Sequence, residues 1–115
     1  MKVKFYGYDK CDTCRKALKF LKAKGVEIES IDITVKAPSA AELSSAVKKL
    51  GLKKLFNTSG QVYREMKLGE KIPTMSETEA VKLLASHGRL VKRPFVIAQG
   101  QILVGFNESE WKSLL

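Results

Sequence analysis

Two cysteines three positions apart, Cys11 and Cys14, stand at the join between a strand-like run and a helical one. That placement narrows the folds open to the chain more than any other feature. Ahead of the pair, VKFYGY (Val3 to Tyr8) is short and carries β-branched and aromatic residues, the pattern of a buried strand. Behind it, Ala17, Leu18, Phe20 and Leu21 recur at helical spacing between Asp12 and Lys24, and Gly25 supplies the stop. VEIESIDI (Val26 to Ile33) then alternates apolar with acidic residues and predicts a half-exposed strand. Strand, helix, strand makes a βαβ unit, with a right-handed crossover.

The middle of the chain reads as helix. Ser39 with Glu42 forms a capping box, followed by the apolar stripe Leu43, Val47 and Leu50 and ended by Gly51. A short piece over Lys53 to Phe56 leads into the turn Asn57-Thr58-Ser59-Gly60, and Val62 to Met66 forms another short helix. Ser76 with Glu79 opens a further helix whose core face is Ala80, Leu83 and Leu84. Strands return in FVIA (Phe95 to Ala98) and ILV (Ile102 to Val104), joined through Gln99-Gly100-Gln101, a hairpin signal. Asn107 with Glu110 starts a terminal helix carrying Trp111, Leu114 and Leu115. The expected organisation is therefore α/β: β-α-β, a helical insert, then β-β-α. It forms one domain, with a core of residues 1–35 and 89–115 and an insert of about 36–88.

A CxxC beside a βαβ pattern reads as a thioredoxin-like redox motif. Cys11 falls at the helix start, where unpaired backbone N–H groups and the helix dipole favour an anion. Cysteine pKa values drop from about 8.5 to roughly 3.5–7.5 in such places. Lys10 and Arg15 add positive charge nearby, and Asp12 and Thr13 occupy the same loop and first turn. Cys14 lies one turn on, on the same face, and is placed to close a disulfide after Cys11 has attacked. The competing reading is a pair of reduced cysteines packed as small hydrophobes; the strand–CxxC–helix context favours redox chemistry. With one histidine, His87, in the chain, a four-ligand zinc site lacks ligands.

Arg93-Pro94 directly precedes FVIA, and a proline that enters a sheet strand is confined to its start or an edge. This X-Pro bond is a candidate for cis geometry, and the Arg93 guanidinium is placed to serve the thiolate or an anionic substrate. Ser59, in the polar NTSG turn, and Arg64 are weaker binding candidates. His87 reads as a helix C-terminal residue, and Tyr6, Tyr8 and Phe106 as core or rim.

The net charge of +9, from 21 Lys and Arg against 12 Asp and Glu, favours anionic partners. No long basic run or aromatic-interleaved stripe is present, so direct nucleic-acid binding is not expected. No apolar run approaches the roughly 20 residues needed to span a bilayer, and the first residues, MKVKFYGYDK, lack the pattern of a secretory leader. A cytoplasmic protein is expected.

At CDTCRKAL, NTSGQVYREM, LLASHGRLVKRP and VGFNESEW the chain resembles the arsenate reductase (ArsC)/Spx family, over essentially its whole length. It is most similar to the family's short YffB-like and YusI-like members. The resemblance implies a thioredoxin-like (glutaredoxin-like) fold with an all-helical insertion and a cis bond at Arg93-Pro94. It further implies Cys11 as nucleophile and Arg93 as an oxyanion ligand. The two other arginines of the family's arsenate reductases have no match, their places falling near Asn57 to Ser59 and at Gly105. One arginine in place of three leaves a doubly charged oxyanion poorly compensated, which argues against efficient arsenate reduction. The implied function is a thiol-disulfide oxidoreductase coupled to glutathione and glutaredoxin or to thioredoxin. No tightly bound cofactor is implied, glutathione serving as co-substrate, and the chain is expected to be a monomer. The alternative is an Spx-like redox regulator, whose CxxC is a switch and whose partner is the RNA polymerase α subunit.

Overall fold

The computed structural model describes residues 2–114. It divides the chain into two compact units, one running to Asp32 and resuming at Arg93, the other spanning Ile33–Lys92. The first unit is built on a four-stranded sheet in the order β2-β1-β3-β4. Its strands are β1 (Lys2–Gly7), β2 (Glu27–Asp32), β3 (Phe95–Ala98) and β4 (Gln101–Val104). β1 runs parallel to β2, in register Val3↔Ile28 and Tyr6↔Ile31, and antiparallel to β3, in register Phe5↔Val96. Two helices complete this unit, α1 (Asp12–Ala23) and α6 (Glu108–Leu114).

β1 is central and paired on both edges, and from Phe5 to Gly7 it is buried on both faces, while Lys2 and Lys4 keep its start partly exposed. Val3 and Phe5 point into a core made with Ala17 and Leu21 of α1, Val96 and Ala98 of β3, Leu103 of β4 and Trp111 of α6. Tyr6, on the opposite face, meets Phe95 edge-on at 5.9 Å. The α1 residues in that core stand at helical spacing, and Cys14 precedes them by one turn. Full burial of each large apolar side chain is worth about 1.5–3 kcal/mol. An aromatic cluster closes the layer: Phe106 lies 4.9 Å from Trp111, and Phe20 lies 6.1 Å from it. β2 is an outermost strand in the sheet order and has no fully buried residue, so its alternation of Glu27, Glu29 and Asp32 with isoleucines suits an edge. β3 and β4 are joined by Gln99 and Gly100, both with positive φ (49° and 79°), as a two-residue type I′ hairpin requires.

The second unit contains α2 (Ala40–Leu50), α3 (Gln61–Glu65), α4 (Leu68–Lys71) and α5 (Glu77–Ser86), with short 3-10 turns between α2 and α3 and between α4 and α5. At Ser39 the capping box is complete: its hydroxyl accepts from the Glu42 N–H (3.1 Å) and the Glu42 carboxylate accepts from the Ser39 N–H (2.9 Å). At Ser76 the hydroxyl accepts from the Glu79 N–H, but the Glu79 carboxylate takes the Ser76 hydroxyl rather than its backbone. α5 buries Ala80, Val81 and Leu84. Leu83, expected in the core, is only half-buried, and Val81 takes the buried place. His87 ends α5, its N–H donating to the Leu84 carbonyl. Asn107 accepts from the Glu110 N–H at the start of α6. Of the terminal apolar residues expected there, Trp111 is buried, whereas the Leu114 side chain and all of Leu115 lie outside the described residues.

Candidate functional site

The loop Tyr8–Cys11 turns the chain from β1 into α1. The Cys11 N–H donates to the Tyr8 carbonyl at 3.1 Å, and this closes the turn. Cys11 is then the N-cap of α1, with extended backbone (φ −99°, ψ 116°), and its Sγ accepts from the Cys14 N–H at 3.3 Å. A sulfur thus takes the place that Ser, Thr or Asp usually holds at a helix start, satisfying one of the unpaired N–H groups of the first turn.

The two sulfurs have opposite surroundings. Cys11 is partly open to solvent, while Cys14 is only 1% exposed and packs in the apolar core. Burial pushes the Cys14 thiol up to about 12, and the hydrogen-bonded Cys11 side chain and its charge push the same way. A hydrogen bond from the Tyr8 backbone and the charge of Arg93 act in the opposite direction. No disulfide joins the two cysteines in the structure.

Arg93 and Pro94 enter β3, and the bond between them is cis. Pro94 is buried, and its carbonyl accepts from the Gly105 N–H at 2.9 Å, pinning the strand entrance. Arg93 is half-buried, with its guanidinium carbon 5.1 Å from the centre of the Tyr8 ring. Cys11, Cys14, Tyr8 and Arg93 therefore form one group within the first unit. The first two and Arg93 were legible in the sequence. Tyr8, read there as core or rim, was missed, because its only sequence signal is an aromatic ring three residues ahead of Cys11.

The remaining candidates fall elsewhere. Lys10, Asp12, Thr13 and Arg15 are all exposed around the start of α1. Arg15 folds back on the loop: its guanidinium pairs with the Asp12 carboxylate and donates to the Asp9 carbonyl at 3.2 Å. That bond and the charge of Arg15 hold the Asp12 carboxyl below its usual range. A cleft of about 450 Å³ opens beside this loop, lined by Tyr8, Asp9, Arg15 and Leu18 with the end of β2. Ser59 and Arg64 belong to the second unit and are exposed. The Ser59 hydroxyl donates to Asn57 Oδ1 at 3.3 Å, so the NTSG segment closes on itself as a turn. Among the described residues no group of three or more His, Cys, Asp or Glu side chains is placed to hold a metal ion. Nor is any helix long and apolar enough to cross a membrane.

The ArsC family model matches residues 6–114. The chain belongs to the ArsC family. Among its relatives, the YusI protein of Bacillus subtilis is 48% identical over 114 residues, covering 97% of each chain. An ArsC family related protein from Bacteroides fragilis has a solved structure that superposes with a TM-score of 0.92. It is 44% identical and covers 100% of this chain and 98% of its own. Functional names occur among more distant relatives. The arsenate reductase from Vibrio cholerae superposes with a TM-score of 0.84 at 26% identity, over 100% of this chain and 98% of its own. The global transcriptional regulator Spx of Streptococcus pyogenes is 28% identical over 107 residues, 91% of this chain and 78% of its own. These likenesses establish the thioredoxin-like α/β fold of the ArsC family, whose relatives include both a reductase and a regulator.

Proposed function

We propose that this ArsC-family chain is an arsenate-reductase-like thiol-disulfide oxidoreductase that works through Cys11 and Cys14. The observation that carries the reading is the N-cap position of the Cys11 sulfur, with the Cys14 N–H aimed at it at 3.3 Å. The Cys11 thiolate attacks one sulfur of a disulfide; the S–S bond breaks and one thiolate leaves. Cys14 gives its proton to solvent and attacks the Cys11 sulfur, expelling the second thiolate and closing the Cys11–Cys14 disulfide. Two electrons pass from the dithiol to the substrate. Glutathione with glutaredoxin, or thioredoxin, returns them, in the reducing cytoplasm and without a tightly bound cofactor. Arg93 stabilises anionic sulfur on either side of the exchange.

Arsenate is a poor candidate substrate. The unit that holds the thiols has two arginines, Arg15 and Arg93, and Arg15 is committed to Asp12. The test is single-turnover reaction of the reduced protein with a small disulfide and with arsenate. Cys11-dependent release of two thiols per chain from the disulfide is expected, with little arsenite formed. A Cys11→Ser protein that reacts as fast as wild type removes the reading.

A second reading is favoured by the relationship to Spx: a redox-switched module that contacts the RNA polymerase α subunit. Pull-down of that subunit by one redox state alone supports it, and equal absence of binding in both states eliminates it.

A further inference from the structure

We infer that the Tyr8 ring is a platform that holds the Arg93 guanidinium beside the thiol pair with its charge unspent, and that Tyr8 thereby makes the site selective for anionic disulfides. The inference deepens the oxidoreductase reading and rests on it. Arg93 is half-buried, and a cation in such a place is normally pinned by a carboxylate, which also cancels its charge. Among the described residues no carboxylate pairs with Arg93; the group facing it is the Tyr8 ring, 5.1 Å from the guanidinium carbon. Arg15 shows the contrasting case within the same unit, folded onto Asp12 and the Asp9 carbonyl. A ring face attracts a guanidinium through its quadrupole while adding no net charge. The fork of Arg93 therefore keeps its donors for a carboxylate or sulfonate carried next to a disulfide.

Tyr8 is also the residue from which the pair is hung. Its carbonyl accepts from the Cys11 N–H at 3.1 Å, and a hydrogen bond from its backbone favours the Cys14 anion. These bonds belong to the main chain, so a side-chain substitution alters the platform and leaves the suspension of both cysteines in place. Tyr8 thus acts through Arg93, as a positioning residue.

The test is single-turnover oxidation of the reduced protein by two disulfides of contrasting charge. One is dithiobis-nitrobenzoate, with a carboxylate on each half; the other is hydroxyethyl disulfide, which is neutral. The readout is the ratio of the two rate constants, which a general loss of packing would leave unchanged because it slows both reactions alike. In Tyr8→Leu the anionic-to-neutral ratio falls about fivefold, the size of a partly exposed cation–π contact, and in Tyr8→Phe it returns to the wild-type value. An unchanged ratio in Tyr8→Leu overturns the inference, as does a Tyr8→Phe ratio equal to that of Tyr8→Leu, which would assign the effect to the hydroxyl. Wild type and Cys11→Ser reacting equally with both disulfides would overturn the oxidoreductase reading itself, a result visible before any Tyr8 variant is made.

Discussion

Alkylation of Cys14 in the native protein tests the asymmetry of the two thiols directly. The reactive species is the thiolate, and the folded environment raises the Cys14 thiol from 9.0 to about 12. At neutral pH that shift alone lowers its thiolate fraction about 1,000-fold relative to the unfolded chain, since each unit of pKa is a factor of ten. Occlusion by Phe5, Ala17 and the other core residues slows attack further. Iodoacetamide labelling followed by peptide mass spectrometry should therefore show Cys11 modified first. Cys14 should react at least three orders of magnitude more slowly in buffer than in concentrated urea. In the unfolded chain Cys14 labelling levels off above about pH 9, whereas in the native protein it keeps rising about tenfold per pH unit toward pH 12. The sign for stability follows. The fold favours the protonated thiol, so this contribution is complete below pH 9 and is lost as pH climbs through about 12. Cys11→Ser removes the hydrogen bond and charge that reinforce the shift but leaves burial, the largest cause, so Cys14 labelling should accelerate without reaching its rate in urea. Native labelling of Cys14 within tenfold of that rate would refute the reasoning.

A Cβ on Gly88 would run into the carbonyl oxygen of Ile33, which is backbone and cannot swing aside. Gly88→Ala should therefore cost about 2–3 kcal/mol, read as a lower urea midpoint at unchanged slope. Ser39→Ala removes a complete capping box from α2 and should cost about 1 kcal/mol in the same assay. Gln99 sits at φ 49° ahead of Gly100 in the hairpin, and asparagine is better suited to that place; Gln99→Asn should raise the melting temperature by about 2 °C. Trp111→Ala, which empties the aromatic cluster under α6, should cost about 3–5 kcal/mol.

The fold was legible wherever local chemistry and long-range packing agree. The buried strand β1, the stripe Ala17–Leu21 ended by Gly25 and the Ser39 box each announce their element. The hairpin is equally plain from apolar runs around Gln99-Gly100. Legibility ended where side chains from distant segments meet. The sequence marks Arg93 as an arginine before a proline, but its ring contact joins residues 85 positions apart through the β1–β3 pairing. No local pattern carries that. Arg15 illustrates the opposite error of reading charge by proximity: adjacent in sequence to Cys14, its guanidinium is taken up by Asp12 and the Asp9 carbonyl instead. The swap of Val81 for Leu83 in the α5 core reflects the angular width of an apolar stripe, which sequence spacing bounds only to within a residue or two.

The placement of the two sulfurs also fixes the order of any exchange. Only Cys11 is open to an incoming disulfide, so the first bond forms there, and a mixed disulfide on Cys14 would have to be built inside the core beside Leu21 and Trp111. Before that step Cys14 is restrained as a proton-bearing thiol by burial and by the neighbouring sulfur. Formation of the mixed disulfide removes the Cys11 charge, and with it one of the causes that keep the Cys14 proton in place. The Tyr8 backbone bond and the Arg93 charge, which both favour the anion, remain. Burial holds the second thiol back before the first has reacted, and the Tyr8 backbone and the Arg93 charge are the influences that favour its anion. It follows that Arg93→Ala should slow closure of the Cys11–Cys14 bond relative to the initial attack on a neutral disulfide. Quenched-flow trapping should then find the mixed disulfide accumulating in that variant, and its failure to accumulate would separate Arg93 from the resolving step.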